Sequence, residues 1–269
     1  MTENDQRVAV IIPAKDEEER ISSTIRAARA IPRVDLVIVV DDGSGDDTQN
    51  IARAAGATVI RHSVNRGKAS AMETGASVAA MRDVAGNPAR VLLFIDADLG
   101  DTAVETTPLT GPVLRGEADC TIAALPPQAG AGGMGFVTGL GRKAIEHATG
   151  WRPRQPLSGQ RCLTREAFDA ARPLASGWGV EVGMTIDLLV AGFTLQEVPC
   201  DLHHRATSNN LAGYLHRANQ YKDVRLAVDA RRLRGIRVPK HLRTRGPIED
   251  FAPYNAFRSP FGTASDTAQ

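Results

Sequence analysis

Four short apolar segments recur through the first hundred residues, and they constrain the fold more than any other feature. They are Val8–Ile12, Leu36–Val40, Ala57–Arg61 and Val91–Ile95. Stretches with helical composition separate them, at about residues 16–30, 46–55 and 66–82. Continuous apolar strands suit a parallel sheet covered on both faces, and strands that alternate with helices form right-handed βαβ units. The pattern therefore predicts an α/β fold with a mostly parallel central sheet.

The rest of the chain continues this pattern and then departs from it. A helix near residues 103–115 and strands near 119–124 and 194–200 extend the sheet, with helices predicted at 141–147, 165–170 and 180–191. Residues 126–141 contain two prolines and six glycines, which predicts a loop able to close over a site. Residues 210–233 form an amphipathic helix whose apolar stripe faces the protein or a membrane.

This succession of elements favours one domain over residues 7–235 rather than two independent domains. Its parts are a first half over 7–101, a second half over 102–205 and a basic amphipathic helix over 206–235. Residues 246–269 are rich in Pro, Gly, Ser and Thr, and this composition predicts a loose tail.

The charge is balanced over the whole chain but not along it. Lys and Arg number 32 against 31 Asp and Glu, a net charge of +1, so the overall basic charge expected of a nucleic-acid-binding protein is missing. Residues 205–245 hold eleven Lys or Arg and two acids, a local excess of +9 that leaves −8 on the remainder. An acidic body therefore precedes a basic end, and we expect no nucleic-acid partner.

Cysteine usage and hydropathy indicate the compartment. The three cysteines are about forty residues apart and form no CxxC pair, which fits a reducing compartment. The polar, acid-containing N-terminus does not resemble a signal peptide. The longest apolar runs have five residues, whereas a membrane span needs about twenty. We expect a cytoplasmic protein, associated at most with the inner face of the membrane.

Acidic and basic motifs follow three of the predicted strands. Asp96 and Asp98 end the segment FIDAD, Asp41 and Asp42 begin DDGSGDDT, and Lys68 lies in NRGK at the start of a helix. Ligands of open α/β sheets bind beyond the carboxyl ends of the strands. Carboxylates there suit Mg²⁺ or Mn²⁺ shared with substrate phosphates, and a helix N-terminus with a lysine suits a phosphate. Each motif alone is also explained by a solvated turn or a helix cap.

Taken in order, the motifs resemble those of family 2 glycosyltransferases, which have the GT-A fold. The first-half motifs are IIPAKDEEE, VVDDGSGDDT, NRGKASAM and FIDADL, and they match over about residues 7–101. The second half is similar to the glucosyl-3-phosphoglycerate synthases through GLGR, QPLSGQR, GWGVEVG and HHR, which begin at residues 139, 155, 177 and 203. The resemblance implies a GT-A sandwich around a mixed, mostly parallel sheet, with an additional C-terminal helix.

In the first half, the resemblance implies residues that bind the donor. Pro13, Ala14 and Glu17 would line the nucleotide pocket. Asp42 would bind the uracil edge, and Lys68 would contact the diphosphate. Residues 7–101 would thus form the nucleotide-sugar-binding half and residues 102–205 the acceptor side.

The resemblance also implies a metal site. Asp96 would lie near the ribose, and Asp98 would hold the Mg²⁺ or Mn²⁺ ion that bridges the two phosphates. His204 would be a further metal ligand, although the adjacent His203 is an alternative. An imidazole ligand favours Mn²⁺ over Mg²⁺.

The second half supplies candidates for the sugar and the acceptor. Glu181 would hold sugar hydroxyls, whereas in inverting relatives an acid in this region is the base. Trp178 would either stack on the sugar or pack internally. Arg142 and Arg161 are candidates for binding an acceptor phosphate or carboxylate, or are simply exposed arginines. Arg142 is followed by Lys143-Ala144, so the Arg-Val-Thr acceptor motif of the phosphoglycerate enzymes is missing.

These features predict a metal-dependent transfer of a sugar from a UDP-sugar to a small phosphorylated or carboxylate acceptor. A polyprenyl phosphate or glycolipid acceptor is an alternative, in which the basic helix contacts an anionic membrane. A non-catalytic nucleotide-sugar-binding module and a nucleotidyltransferase are the others, and the lack of glycine in IIPAKDEEE disfavours the latter. The resemblance also implies a homodimer.

Overall fold

The fold is built on a seven-stranded sheet with helices on both faces. In the computed structural model, the described residues are 6–126, 135–202, 211–244 and 249–257, with the side chains of 211–217 left out. The strands are β1 (Val8–Ala14), β2 (Val34–Asp41), β3 (Thr58–Arg61), β4 (Val91–Phe94), β5 (Cys120–Ala124), β6 (Arg161–Leu163) and β7 (Leu195–Pro199). Their order is β3-β2-β1-β4-β6-β5-β7, and only β6 is antiparallel to its neighbours. The predicted mixed, mostly parallel sheet is confirmed.

Eight α-helices and three 3-10 helices lie within the described ranges. They are α1 (Ile21–Arg29), α2 (Thr48–Ala54), α3 (Lys68–Met81), α4 (Thr110–Leu114), α5 (Gly135–Thr149), α6 (Arg165–Ala170), α7 (Val180–Val190) and α8 (Leu211–Leu233). The 3-10 helices are Gly100–Leu109, Gly177–Gly179 and Lys240–Leu242. No helix in these ranges combines the length and the apolar character required to cross a bilayer.

The continuous apolar strands are explained by burial on both faces of the sheet. In β1, Ala9 and Ile11 belong to one core cluster, which includes α3, α5 and α7. Val8 and Val10 belong to the second cluster, on the α1 side. Because neighbouring strand residues point to opposite faces, a strand covered on both sides has no polar alternation. The sequence pattern therefore reports the layer structure directly.

Two predicted boundaries are wrong for identifiable local reasons. Helix α1 begins at Ile21 rather than near residue 16, because the preceding residues form a loop in which Asp16 has φ of 55°. The helix predicted near 103–115 is a 3-10 helix followed by the short α4, and prolines lie in both. Proline removes the backbone donor that a continuous α-helix requires.

Described residues of both the loop and the tail predicted from composition pack against the rest of the protein. Helix α5 starts at Gly135, within the predicted loop 126–141. Glycine at position 141 lets α5 approach α7 closely, because a Cβ atom there would lie 3.0 Å from Val182 Cγ2. In the predicted loose tail, Tyr254 is buried, stacks on Trp151 and exchanges backbone hydrogen bonds with Leu195. Residues 127–134, 245–248 and 258–269 lie outside the described ranges.

Candidate active site

The loops that follow β1 and β2 are fastened to each other at the carboxyl edge of the sheet. The backbone N–H of Asp16 donates to Ser44 Oγ at 3.0 Å, and that of Glu17 donates to Thr48 Oγ1 at 2.8 Å. In return, Asp16 Oδ1 accepts from the backbone N–H of Gly45 at 2.7 Å. Each loop thus supplies partners to the other, so the two predicted nucleotide-binding loops form one rigid wall.

The three residues predicted to line a nucleotide pocket lie on this wall. Pro13 and Ala14 occupy the last two positions of β1, in register with Val40 and Asp41 of β2. Pro13 and Glu17 are half-buried, and Ala14 is buried. The structure therefore brings them together at the sheet edge, and their contact with a nucleotide stays a prediction.

Asp42, predicted to bind a uracil edge, is buried and holds the loop that leads into α3. Its carboxylate accepts hydrogen bonds from the backbone N–H groups of Arg66 at 2.8 Å and Gly67 at 2.7 Å. His62 Nδ1 lies 2.7 Å from Asp42 Oδ1, and His62 Nε2 lies 3.0 Å from Thr74 Oγ1. Asp42 thus fixes the position from which α3, and with it the first residue of that helix, begins.

The hydrogen bonds around Asp42 outweigh its burial. Burial alone would raise the pKa of the Asp42 carboxyl, but the N–H groups of Arg66 and Gly67 and the His62 ring lower the pKa below its ordinary value. These donors stabilise the charged form. The loop is therefore held by an ionised carboxylate. The uracil contact itself stays a prediction.

Lys68, the first residue of α3, lies between two carboxylates from distant parts of the chain. Its Nζ is 2.9 Å from Asp96 Oδ1 and 3.1 Å from Glu181 Oε1. Asp96 follows β4, and Glu181 lies in the first turn of α7. The other Asp96 oxygen accepts from Gln160 Nε2 at 2.6 Å. Three of the predicted site residues therefore form one cluster, to which Gln160 is added.

The Lys68 ammonium group occupies space that a side chain at Gly159 would otherwise fill. A Cβ atom at Gly159 would lie 2.5 Å from Lys68 Nζ and 3.2 Å from each Asp96 carboxylate oxygen. Heavy atoms do not approach a real Cβ this closely, so any larger residue would displace the ammonium group. Gly159 and Gln160 belong to the segment QPLSGQR. That segment therefore contributes two features in addition to the predicted Arg161. Gly159 leaves room for the Lys68 ammonium group, and the side-chain amide of Gln160 donates to Asp96.

The Lys68 ammonium group is held in its charged form. Burial alone would lower the pKa of Lys68, but the carboxylates of Asp96 and Glu181 raise the pKa well above its ordinary value. Glu181 is only 6% exposed, and the Lys68 ammonium group is its ion-pair partner. A buried carboxylate without a counter-ion is costly. The cluster thus holds a charged ammonium group between two carboxylates at the sheet edge, where ligands bind in folds of this type.

Hydrogen bonds from Arg20 and from Thr24 of α1 hold the backbone of the segment that follows β4. Thr24 Oγ1 donates to the Ala97 carbonyl at 2.7 Å and accepts from the Gly100 N–H at 2.8 Å. Arg20 Nη1 donates to the Asp98 carbonyl at 3.1 Å. These bonds fix the backbone of residues 97–100, and the Asp98 side chain itself stays half-buried at the edge of the sheet.

The Asp98 carboxylate suits a hard divalent cation. Within the ranges described, it has neither a hydrogen bond nor an ion pair. Mg²⁺ in proteins is usually held by one or two carboxylates plus substrate phosphates. The described residues contain no group of three or more His, Cys, Asp or Glu arranged to hold a metal. The donor chemistry fits an ion that takes its other ligands from a phosphate-bearing substrate. His203 and His204 lie outside the described residues.

The two arginines predicted to bind an acceptor have internal partners. Arg142 donates from Nε to the Pro153 carbonyl at 2.8 Å and from Nη2 to the Arg154 carbonyl at 2.7 Å. Arg161, in β6, is 1% exposed and donates to the Ser158 carbonyl, with Nη2 unpaired among the described atoms. Arg161 is therefore not the exposed arginine of the alternative interpretation. An acceptor contact stays a prediction for both residues.

Two further residues considered from the sequence, Trp178 and Asp187, lie just before α7 and within it. Trp178 is 41% exposed, next to the turn that starts α7. Of its two predicted roles, internal packing therefore accounts for only part of the side chain, and stacking on a sugar stays a prediction. Asp187, six residues after Glu181, pairs with Arg231 of α8, Arg231 Nε lying 2.9 Å from Asp187 Oδ1. Asp187 thus joins two helices and has no place in the cluster around Lys68.

Comparison with known proteins shows which family the sequence matches. Residues 9–133 match the family model described as glycosyl transferase family 2. The chain is 34% identical over 198 residues to the glucosyl-3-phosphoglycerate synthase of Mycolicibacterium paratuberculosis, covering 67% of this chain and 59% of that protein. It is 33% identical to the Mycobacterium tuberculosis enzyme of that name, covering 67% and 60%. The chain thus spans about three-fifths of the length of these relatives.

Solved structures give the same result for the fold. A structure of the M. tuberculosis synthase with Mn²⁺, UDP and glucosyl-3-phosphoglycerate has a TM-score of 0.65 at 25% identity, covering 94% of this chain and 88% of that chain. Another structure of the same synthase has a TM-score of 0.64 at 27% identity, covering 84% and 80%. The resemblance noted in the sequence is confirmed: residues 9–133 belong to glycosyl transferase family 2, the fold is GT-A, and the chain is similar to the glucosyl-3-phosphoglycerate synthases.

Proposed function

We propose that the protein is a metal-dependent glycosyltransferase that moves a sugar from a UDP-sugar to a small phosphorylated or carboxylate acceptor. The observation that carries this proposal is the cluster of Lys68 between Asp96 and Glu181; two residues after Asp96 comes Asp98, whose carboxylate has no partner among the described residues. It combines a fixed cation, polar groups for a sugar and a donor for a metal at one edge of the sheet. The synthases to which the chain is similar support UDP as the nucleotide.

In this proposal the donor lies along the rigid wall formed by the loops after β1 and β2. Pro13, Ala14 and Glu17 contact the nucleotide, and Asp42 either reaches the uracil edge or acts by holding the loop before Lys68. The sugar then projects toward Glu181 and Trp178, at the start of α7. A single loop-and-helix framework therefore orients both ends of the donor.

Asp98 would hold the Mg²⁺ or Mn²⁺ ion, with His204 or His203 as the proposed further ligand. When bound, the ion supplies positive charge to the diphosphate oxygens. Lys68 would present its ammonium group to the diphosphate, in an orientation that Asp96 and Glu181 set before the reaction. Charge that is already oriented stabilises a departing diphosphate without rearrangement. This is the main contribution that we assign to the chain.

Glu181 has two candidate tasks. Its carboxylate can accept hydrogen bonds from sugar hydroxyls while it is paired with Lys68, as the resemblance to retaining enzymes implies. Alternatively, it removes the acceptor proton, as a base in an inverting reaction does. The anomeric configuration of the product, measured by NMR, distinguishes the two tasks.

The acceptor proposal comes from the relatives. The M. tuberculosis structure contains glucosyl-3-phosphoglycerate. Since the Arg-Val-Thr motif is missing here and Arg142 binds backbone carbonyls, we propose the class of acceptor and not phosphoglycerate itself. The polyprenyl phosphate acceptor, contact with a membrane, a cytoplasmic location and a homodimer stay predictions from the sequence.

The test measures release of UDP from a panel of UDP- and GDP-sugars, with 3-phosphoglycerate and related acids as acceptors and with or without Mn²⁺. We expect turnover with a UDP-sugar that requires the metal. Asp98→Ala should lower turnover by a factor of about 100 or more, since one oriented electrostatic contact is worth roughly this much. Asp101→Ala is the matched control, because Asp101 is exposed and three residues further along the same segment.

Two results would contradict the proposal. Near-normal transfer by Asp98→Ala at saturating Mn²⁺ would remove the metal role. Tight binding of UDP-sugar without turnover for every acceptor would instead indicate the non-catalytic binding module.

A further inference from the structure

A basic groove lies between α5, α7, α8 and the segment that follows α8. Its volume is about 600 Å³, within the range of small-molecule sites. Its floor is apolar and includes Leu140, Ile186, Val228 and Ile236. Because these side chains come from three helices and the following segment, the groove is a product of the tertiary packing.

Cationic side chains surround this floor. Lys143, His147, Arg232 and Arg237 all line the groove and are exposed. Within the described part of the chain, none of the four has a hydrogen bond or ion pair from its side chain. The buried lining arginine, Arg231, is already neutralised by Asp187. The rim therefore consists of two arginines, one lysine and one histidine, none of which has an acidic partner among the described residues.

The groove is separate from the cluster around Lys68. None of the cluster residues lines it, and Ile186 lies five residues beyond Glu181 along α7, or about 7.5 Å of helix rise. The proposed transfer reaction thus gives no role to these cations. Arg232 and Arg237 belong to the basic stretch 205–245. Lys143 and His147 come from α5 and add to the basic character of the groove.

We propose that the basic groove binds a soluble organic anion, a phosphate ester or carboxylate with a hydrocarbon body. The head group would lie at the rim near Lys143 and Arg237, and the hydrocarbon would lie on the floor at Ile186 and Val228. Charge complementarity selects the head, since arginine and lysine are typical phosphate ligands. Burial of hydrocarbon supplies the rest of the affinity.

The test is isothermal titration of the full chain, without nucleotide, using n-octyl phosphate below its aggregation concentration. Inorganic phosphate is the head-group control. We expect octyl phosphate to bind at least about tenfold more tightly than phosphate, because the floor removes hydrocarbon from water. The double variant Lys143→Glu/Arg237→Glu should lose about tenfold or more of this affinity, because two attractive charges become repulsive.

The matched control is Arg234→Glu/Lys240→Glu, which changes the net charge equally at exposed residues that do not line the groove. Its affinity should stay within about twofold of wild type, because both side chains are exposed outside the groove lining, where salt screens their charges. Equal binding of phosphate and octyl phosphate, or equal losses in both double variants, would overturn the proposal. So would a groove variant that changes only the oligomeric state in light scattering and not the affinity. Since no turnover is measured, failure here leaves the proposed function untouched.

Discussion

Replacing Asp42 with asparagine tests whether this residue acts on the nucleotide or on the protein. The structure gives the carboxylate three partners: the N–H groups of Arg66 and Gly67 and the ring of His62. An asparagine oxygen in the Oδ1 position keeps the Arg66 and His62 contacts, but its NH₂ group then faces the Gly67 N–H. One charge-assisted hydrogen bond is lost and two become neutral. The Asp42→Asn variant should therefore be destabilised.

The size of the effect follows from these contacts. A hydrogen bond to a charged group contributes about 1.5–3 kcal/mol, roughly twice a neutral one. Gly67 N–H keeps a second acceptor, Asn65 Oδ1 at 3.0 Å, which limits the loss. We expect the free energy of unfolding to fall by about 2–4 kcal/mol, measured by urea denaturation without nucleotide. UDP affinity should fall as well, because the loop before Lys68 loses its anchor.

The dependence on pH gives a second measurement. Since the pKa of Asp42 is lowered in the folded state, its ionisation stabilises the fold above the ordinary value of 3.8. That contribution is lost as the pH falls through the lowered pKa, so wild type should lose stability in acid more steeply than Asp42→Asn. Asp101→Asn, at an exposed position, is the control. If Asp42→Asn unfolds within about 0.5 kcal/mol of wild type but loses UDP affinity, the loop-anchoring role is wrong.

Three further predictions concern packing and reactivity. Gly75→Ala should lower the free energy of unfolding by about 1–3 kcal/mol, because a Cβ atom there would lie 2.4 Å from Ile11 Cγ2. Urea denaturation measures this change. Unchanged stability would show that α3 can shift to accommodate the methyl group. Gly159→Ala should lower turnover by about 10–100-fold, because its Cβ displaces Lys68; normal turnover would exclude this placement of Lys68 from catalysis. Burial raises the pKa of the Cys120 thiol to about 12, and all three cysteines are buried. A thiol reagent at pH 8 should therefore react with them only after unfolding in guanidinium, and rapid reaction of the native protein would contradict the core packing.

Much of the fold could be predicted because its signals are local. The predicted strands match every strand of the described sheet except β6, and their lack of polar alternation identifies a sheet with two covered faces, as Ala9 and Val10 show by belonging to opposite clusters. The 3-10 helix at Gly100–Leu109 and the start of α5 at Gly135 were not predicted. There, proline and glycine composition indicates irregular backbone, and packing against neighbours decides which form it takes.

The candidate site was predicted unevenly. Motifs at strand ends identified Lys68, Asp96 and Asp98 as a group, and the family resemblance added Glu181. His62 was missed: a single histidine three residues before NRGK carries no signal of its own, and its contact with Asp42 depends on the register between β2 and β3.

The sequence by itself determined the layered α/β fold and the sheet edge at which chemistry belongs, because both follow from hydrophobic periodicity and from motifs at strand ends. Only the tertiary structure decided which groups meet there. Residues 68, 96, 160 and 181 are separated by up to 113 positions, yet their polar atoms lie within hydrogen-bonding distance of a neighbour. It also decided that Arg161 is buried and that the basic end lines a groove with α5. Contacts of this kind depend on how helices cross the sheet, which no local pattern encodes.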